Sequence, residues 1–445
     1  MFAKDKVLIR MCYMNYIYKK DVLTFLKDKN YRHSIIYKNL IEEGYIEEKE
    51  IQDLYGKDGD TEIVCKITKK GQIRIEDKYG KLSLGVSDSE ISKINKSNLK
   101  KATQQLNQNK IKMIFSKTDT IVFNKPPLDE LFALKHAELL ERGLYYSRTE
   151  FFEYLNSQSD ARADQFYGSR FQGVYVNSHH ACLVYLAVKK QIRLDSPIES
   201  RAIYEVRRRF CAITEVPEPE AIVFTPSVAM MYNMAINGKH GHDAHDEKTN
   251  LKSYVFLNNT CELFDHIYVF PRTFEYEESL QEFCGRTHAE REQFTVDLFK
   301  SLSQFELYSY AGDEEFMGYN VEDNSQTAYI PFFDIKLLWK IYKGNFDCSV
   351  IVPHDYFAEP IAHAVRNNTK FYDLGGNRIT TQNYSKSGYL EGIVPPVKKR
   401  KKSVTQVNFQ ITKDVNKEAK KKAEELGISY SKLIRKSINK FLDDN

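Results

Sequence analysis

The stretch VTQVNFQITKDVNKEAKKKAEELGISYSKLIRKSINKFLDDN, residues 404–445, carries the clearest structural pattern in the chain. It opens with strict alternation of apolar and polar residues, which predicts a half-buried β-strand. The apolar positions of this strand are Val407, Phe409 and Ile411. Apolar residues then recur at spacings of three and four as far as Leu426, and Gly427 follows as a typical helix-stop residue. The pattern therefore predicts a strand followed by a helix.

A second helix is predicted to begin after Ser429, which is a favourable capping residue. One strand and two short helices bury too little apolar surface to be stable alone, and a lone strand has two open edges. Two copies solve both problems by pairing their strands as an antiparallel ribbon over a shared four-helix core. We therefore expect a homodimer formed through residues 404–445.

The outward face of the predicted ribbon is polar. Its residues are Gln406, Asn408 and Gln410. Glutamine and asparagine can pair with adenine in the major groove of DNA, and a two-stranded ribbon fits that groove. The backbone N–H groups of Ser429, Tyr430 and Ser431, at a helix N-terminus, are expected to hold a phosphate.

This combination of strand, helix, glycine, serine and helix resembles the ribbon–helix–helix family of Arc- and MetJ-like repressors. The resemblance covers about a tenth of the chain and implies a DNA-binding dimer. The family commonly places a Lys or Arg in the outward triplet, whereas all three residues are uncharged here. Phosphate binding is then expected from a preceding basic arm, which consists of Lys398, Lys399, Arg400, Lys401 and Lys402. The alternative is a module used only for dimerisation.

Charge is distributed unevenly along the 445 residues. Residues 398–445 contain 14 Lys and Arg against 6 Asp and Glu, whereas residues 120–397 contain 27 against 38. Residues 391–403, with two prolines and the basic arm, predict a linker. A basic module attached to an acidic body is typical of a DNA-binding protein whose body contacts a protein partner.

Residues 1–80 predict three short helices followed by two strands, over 44–49 and 61–75. This order resembles winged-helix DNA-binding domains, in which the third helix enters the major groove and the wing touches the backbone. The resemblance implies the contact residues Tyr31, Arg32, Ser34, Tyr37 and Lys38 on the helix, with Lys69 and Lys70 on the wing. The charge balance of this part is only 16 basic against 14 acidic residues, so a protein–protein role is the alternative.

Residues 81–119 are rich in Lys, Asn and Gln and predict a helical or flexible basic connector. Residues 120–390 alternate strand-like runs, such as AIVFTP (221–226) and CSVIVP (348–353), with amphipathic helical patterns. This alternation predicts a central α/β domain. No internal repeat is evident. The fold class expected for the whole chain is multidomain α+β.

The central domain offers no recognisable catalytic set. A metal-dependent nuclease needs an Asp, a second acid and a Lys on neighbouring strands, and this set is not found. The cluster His240, His242 and His245 is a weak candidate for a metal site, with a polar surface loop as the favoured interpretation. The adjacent His179 and His180 are attributed to a hairpin turn. We therefore expect no enzyme activity, no cofactor and no metal.

The segments YYSRTEFFEYL and QGVYVNSHHACLVYLAV, after a winged helix, faintly resemble replication–relaxation-type proteins of Gram-positive plasmids and conjugative elements. That resemblance implies a nuclease-like central fold, here in a degenerate form. The function expected is sequence-specific binding of double-stranded DNA by an accessory factor or regulator in transfer, replication or partition. The alternatives are a divergent metal-dependent nuclease and a ligand-sensing repressor.

Two further features concern location. The seven cysteines are scattered and never form a CxxC pair, which favours free thiols in a reducing compartment. The amino-terminal segment predicts no signal peptide, and no run approaches ~18 uninterrupted apolar residues. We expect a cytoplasmic protein with no membrane partner.

Overall fold

Helices and β-sheets are mixed throughout the described part of the protein, which therefore has an α+β fold. The computed structural model describes residues 3–14, 16–27, 33–52, 61–80, 99–134, 137–158, 168–187, 196–214, 216–225, 264, 266–272, 277–285, 288–307, 318–338, 348–354, 357–358, 361–362, 369–381 and 421–422. The chain divides into two units, residues 1–393 and 394–445, and the boundary lies within the predicted linker. In the second unit the described residues are Lys421 and Lys422, which are helical and exposed.

The amino-terminal elements follow the order helix, strand, helix, helix, strand, strand. They are α1 (Ala3–Cys12), β1 (Ile17–Tyr18), α2 (Lys19–Lys27), α3 (His33–Glu42), β2 (Ile46–Gln52) and β3 (Thr61–Ile67). The strands form an antiparallel sheet in the order β1-β3-β2. Apolar side chains that recur at helical spacing fill the core beneath this sheet, among them Val7, Leu8, Met11, Val22 and Leu40. The predicted three helices and two strands are thus confirmed.

The strand predicted over 61–75 is too long, because β3 ends at Ile67 and a helix follows. This helix is α4 (Lys69–Tyr79), and its first turn is capped by the Thr68 hydroxyl, which accepts a hydrogen bond from the Gly71 backbone N–H at 3.2 Å. Gly71 and Ile75 lie four residues apart and are both buried, which is a helical and not a strand spacing. A Cβ on Gly71 would lie 2.4 Å from the Tyr45 carbonyl oxygen, so glycine permits this close packing.

The basic connector predicted over 81–119 as helical or flexible is helical in the described part of its second half, where it packs against other elements. Residues 99–115 form α5 (Leu99–Phe115), which packs against β1, α2 and β4. Its apolar side chains Leu106, Ile111 and Phe115 are fully buried. The Asn109 side chain donates a hydrogen bond to the Tyr16 carbonyl oxygen at 2.7 Å. The polar composition was misleading because the polar side chains of this helix find partners inside the protein.

The central sheet begins as an antiparallel meander and continues as parallel strands. Its elements are α6 (Leu128–Leu134), α7 (Ala137–Arg142), β4 (Leu144–Ser147), α8 (Arg148–Ser157), β5 (Gly173–Asn177), β6 (His180–Leu186), α9 (Ser196–Arg209), β7 (Glu220–Thr225) and β8 (Ile267–Pro271). The strand order is β4-β5-β6-β7-β8, antiparallel as far as β6 and parallel from β6 onward. Every residue of β5, β6 and β7 is buried, because helices cover both faces.

A second mixed sheet follows along the chain. Its elements are α10 (Glu277–Gly285), α11 (His288–Ser301), β9 (Phe305–Leu307), β10 (Gly318–Asn320), β11 (Gln326–Tyr329), β12 (Cys348–Ile351), β13 (Lys370–Tyr372) and β14 (Arg378–Ile379). The order is β14-β13-β12-β11-β10-β9. Apolar residues of both sheets belong to one core cluster, which includes Val223, Val269, Ala328 and Val350.

The two sheets share one pattern of strand directions. In each, three strands pair antiparallel in chain order, and the next two strands continue parallel to the third. In each, a helix also precedes the first strand, α7 before β4 and α11 before β9. The two sheets thus share an architecture, although no repeat is evident in the sequence.

Candidate functional site

Helix α3 presents an exposed outer face. Tyr37 and Leu40 anchor its inner side in the amino-terminal core. Ser34, Ile35 and Lys38 lie on the opposite side and are exposed, with 54 % of the Ile35 side chain accessible. A large apolar side chain this exposed, beside a hydroxyl and an ammonium group, is a surface suited to contact with a partner.

The structure contradicts Tyr37 as a surface contact residue. Its side chain is buried, and its hydroxyl donates a hydrogen bond to Glu48 Oε1 at 2.5 Å. Burial, followed by the neighbouring Cys65 and Glu48, raises the pKa of Tyr37 well above its ordinary value. Tyr37 faces inward because it lies three residues before the buried Leu40 on the same helix face. It is therefore a core residue.

The two lysines predicted for the wing also lie elsewhere. Lys69 and Lys70 are exposed in the first turn of α4. The Lys70 ammonium donates a hydrogen bond to the Glu43 carbonyl oxygen at 2.8 Å, and it lies over the Tyr45 ring. Lys69 and Lys70 lie on a helix and not on a strand because Thr68 caps the start of α4.

Many of the predicted site residues lie outside the described residues. In the amino-terminal part these are Tyr31 and Arg32. In the tail they are Gln406, Asn408, Gln410, Ser429, Tyr430, Ser431 and the basic arm Lys398–Lys402. The histidines His240, His242 and His245 also lie outside the described part.

Positive charge near α3 is largely matched by acids. Lys38 Nζ lies 3.4 Å from Glu42 Oε1, one helical turn away. Lys19 Nζ lies 2.8 Å from Glu48 Oε1, and Lys4 pairs with Glu43. Exposed pairs of this kind exchange partners at little cost, so Lys38 can leave Glu42 for a phosphate.

A cavity of about 620 Å³ lies beside α8. Its lining includes Tyr13 from the amino-terminal part, Lys112 from α5, and Lys125 and Glu150. Lys125 Nζ donates a hydrogen bond to the Tyr145 carbonyl oxygen at 2.6 Å and lies 2.9 Å from Glu150 Oε1. Burial lowers the pKa of Lys125 to about 8. The cavity is therefore lined both by the amino-terminal part and by residues next to the central sheet, and its lining includes charged groups.

A buried polar cluster occupies the start of the parallel strands in the central sheet. His180 Nδ1 on β6 lies 2.5 Å from Glu220 Oε2 on β7. The Cys182 thiol approaches the same oxygen at 3.4 Å, and the Tyr268 hydroxyl donates to Glu220 Oε1 at 3.2 Å. The hairpin predicted at His179 and His180 is confirmed, because β5 and β6 pair through it. A turn alone does not account for the buried contacts of His180.

Glu220 is the electrostatic centre of this cluster. Burial by itself raises the pKa of this carboxyl, but the charge of His180, its hydrogen bond and the charge of His266 outweigh that effect and lower it. His266 lies just before β8 and is about one third exposed, and its Nδ1 lies 2.6 Å from Asp334 Oδ2. The cluster thus combines imidazole, thiol, phenol and carboxylate groups.

Sequence reasoning missed this cluster, although part of its signal was present. The spacing His-x-Cys at 180 and 182 places both side chains on one face of a strand. Glu220 comes from a strand 38 residues further along the chain than Cys182, and parallel pairing sets Cys182 opposite Glu220. Only the strand register reveals that partnership.

Comparisons with known proteins give no match to a family model, to a curated protein or to a solved structure. Among the described residues, no helix is both long enough and apolar enough to cross a membrane.

Proposed function

We propose that the protein binds double-stranded DNA in a sequence-specific manner, as a dimer formed through residues 404–445. The observation that carries the proposal is the exposed outer face of α3, with Ser34, Ile35 and Lys38. The tail contributes the sequence pattern of a ribbon–helix–helix module. The host process proposed is transfer, replication or partition of a plasmid or conjugative element, in which the protein acts as an accessory factor or regulator.

The amino-terminal elements support this proposal through their order. Helix, strand, helix, helix, strand, strand, with the first strand paired to the last, is the connectivity expected of a winged helix. In that arrangement α3 is the helix that enters the major groove. Ser34 can hydrogen-bond a base edge, and Ile35 can contact a thymine methyl group. Lys38 can bind a phosphate.

The weak net charge of the amino-terminal part means that α3 alone gives limited affinity. The basic arm and the helix lysines of the tail then supply most of the phosphate contacts. Two reading modules on each chain of a dimer raise the effective affinity, because the second contact becomes intramolecular. The two modules together therefore support recognition of a repeated DNA site.

A nuclease is less well supported by the central sheet. Strands β4, β5, β6 and β7 contain Glu220 as their acidic residue and contain no lysine. A nuclease of this type positions its metal with two acids and a lysine on neighbouring strands. The cavity around Lys125 and Glu150 instead favours a ligand-regulated DNA-binding protein as the second candidate.

The test begins with sequencing the DNA that co-purifies with the full chain. A fragment containing that sequence should bind more tightly than random DNA and should be protected in a footprint without added Mg²⁺. The variant Lys38→Ala should reduce the slope of log affinity against log salt by about 0.9 for each chain that contacts the DNA, and therefore by about 1.8 for a dimer. Lys300→Ala, an exposed lysine on α11, is the matched control and should leave that slope unchanged.

Equal affinity for the selected and random DNA would remove sequence specificity from the proposal. Mg²⁺-dependent nicking of supercoiled DNA that co-elutes with the pure protein would replace it with the nuclease alternative. A saturable rise in thermal stability with a small anionic or polar ligand would support the second candidate.

A further inference from the structure

Three side chains from two strands converge on a single point in the central sheet. The ligand-type atoms of His180, Cys182 and Glu220 all lie within 4.8 Å of one another, and all three residues are buried. His180 and Cys182 are two residues apart on β6 and therefore share a face. Glu220 lies opposite Cys182 on β7. The hydrogen-bonded pairing of β6 with β7 fixes the backbone positions of these three residues relative to one another.

We propose that His180, Cys182 and Glu220 bind a Zn²⁺ ion. The donor types fit this metal: zinc in proteins is held by thiolate, imidazole and carboxylate, usually in a tetrahedron. A thiolate excludes Mg²⁺ and Ca²⁺, which take oxygen ligands. The proposal is independent of DNA binding and concerns the acidic central part of the chain.

One of the two measured distances between donor atoms is close to that of a zinc tetrahedron. With a Zn–S bond of about 2.3 Å and a Zn–O bond of about 2.1 Å, the sulfur and oxygen are separated by about 3.5 Å. Cys182 Sγ and Glu220 Oε2 are 3.4 Å apart. His180 Nδ1 and Glu220 Oε2 are 2.5 Å apart, and zinc binding requires their separation to increase to about 3.4 Å.

The surroundings of the three residues also suit a metal. The ring of Phe283, on α10, packs against His180 with a centroid distance of 4.5 Å and covers one side of the cluster. The Tyr268 hydroxyl binds Glu220 Oε1, which orients the carboxylate in the way that outer hydrogen bonds orient metal ligands. Asp334 orients the neighbouring His266 in the same manner. About one third of the His266 side chain is exposed to solvent.

The competing interpretation is a metal-free ion pair between His180 and Glu220. A buried ion pair of this kind adds little net stability, because desolvation of the two charges offsets their attraction. In that interpretation the Cys182 thiol is only a weak hydrogen-bond donor to the same carboxylate oxygen, at 3.4 Å. A zinc ion accounts for all three side chains. It would also join β6 to β7 at the ends where those strands begin, so that metal binding contributes to folding.

The first experiment measures zinc in the full-length protein. Protein purified without a polyhistidine tag, supplied with zinc and dialysed extensively, should retain about one Zn²⁺ per chain by elemental analysis. Cys182→Ser should reduce the retained zinc at least tenfold. Cys348→Ser removes a buried thiol from the other sheet and should retain the ion. A variant with alanine at 240, 242 and 245 should also retain it, which distinguishes this site from the histidine-rich segment.

The second experiment does not depend on any variant. Replacing zinc with Co²⁺ in the wild-type chain should produce the near-ultraviolet charge-transfer band of a cobalt–thiolate bond. X-ray absorption at the zinc edge should fit one sulfur ligand at about 2.3 Å, with nitrogen and oxygen ligands making up the rest. These measurements remain decisive if Cys182→Ser fails to fold.

Two results would overturn the site. One is wild-type protein that retains less than about a tenth of a zinc ion per chain and gives no cobalt–thiolate band, which leaves the ion pair as the explanation. The other is zinc that is lost from the alanine variant at 240, 242 and 245 and kept in Cys182→Ser, which assigns the metal to the histidine-rich segment.

Discussion

The ring of Phe115, the last residue of α5, stacks against the ring of Tyr175 on β5, with their centroids 5.2 Å apart and their planes 2° apart. Phe115 also stacks on Tyr145 of β4 at 4.9 Å. Helix α5 packs against the amino-terminal elements, and its last residue packs on a face of the central sheet. This contact makes α5 a structural element of both parts and not a spacer between them.

Replacing Phe115 with alanine should therefore destabilise the protein strongly. The side chain is fully buried between aromatic rings, and Phe→Ala substitutions at such positions cost about 3–5 kcal/mol. Phe115→Leu keeps most of the volume and should cost clearly less. Urea unfolding followed by circular dichroism measures both. A loss below about 1 kcal/mol for the alanine variant would show that α5 does not pack in this core.

The Lys125–Glu150 pair predicts a dependence of stability on pH. Burial by itself raises the pKa of Glu150, but the charges of Lys125 and Lys112 and the Ser147 hydrogen bond lower it from 4.5 to about 2. A carboxylate with a lowered pKa in the folded state stabilises the protein above its ordinary pKa of 4.5, and this contribution is lost as the pH falls toward 2. About one third of the Glu150 side chain is exposed, so solvent screening limits the contribution to about 1 kcal/mol.

Glu150→Gln should accordingly lower the free energy of unfolding at pH 7 and narrow its difference from wild type as the pH approaches about 3. Glu153→Gln, an exposed position on the same helix, is the control and should change neither value appreciably. Urea titrations at the two pH values make the comparison. A difference between Glu150→Gln and wild type that stays constant with pH would refute the assigned ion pair.

The two faces of α3 should have different roles, because Tyr37 is buried in the core and Ile35 is exposed. Tyr37→Phe removes the hydrogen bond to Glu48 and should cost about 1 kcal/mol of folding free energy. It should leave the affinity of the folded protein for DNA unchanged. Ile35→Ala, on the exposed face, should do the opposite, weakening specific binding with little effect on stability. Fluorescence anisotropy and thermal unfolding measured on both variants test this division, and a specific loss of DNA affinity in Tyr37→Phe would return Tyr37 to the contact surface.

Secondary-structure elements that have a clear local pattern of apolar residues could be predicted from the sequence. The run at 221–226 became β7 (Glu220–Thr225), because a continuous apolar segment rich in β-branched and aromatic residues has few alternatives to a buried strand. The run at 348–353 became β12 (Cys348–Ile351) for the same reason. By contrast, β13 (Lys370–Tyr372) is too short for alternation to be recognised.

The errors arose where long-range contacts override local composition. Asn107, Gln108 and Lys110 in α5 look solvated in the sequence but are buried among other elements, where Lys110 lies 3.3 Å from Asp21. Glu220 likewise has no local feature that distinguishes it from a surface acid. Partners distant in sequence decide the role of such residues, and only the three-dimensional arrangement identifies them.

The tail provides the last prediction, which concerns the dimer and its reading face. A chain that ends at residue 390 should be monomeric in sedimentation experiments, whereas the full chain should be dimeric at micromolar concentration. Within the full chain, Asn408→Ala should reduce the difference in binding free energy between the selected DNA and the same DNA with one base pair changed by about 1–3 kcal/mol. Substituting the basic arm Lys398–Lys402 should weaken binding to all sequences alike and flatten the salt dependence.

These two effects are distinguishable because base contacts carry sequence information and phosphate contacts do not. Lys300→Ala again serves as the control for nonspecific charge loss. If the chain ending at 390 dimerises as the full chain does, the ribbon is not the dimer interface. If Asn408→Ala weakens all DNA sequences equally, the outward triplet does not read bases, and sequence preference must then come from α3.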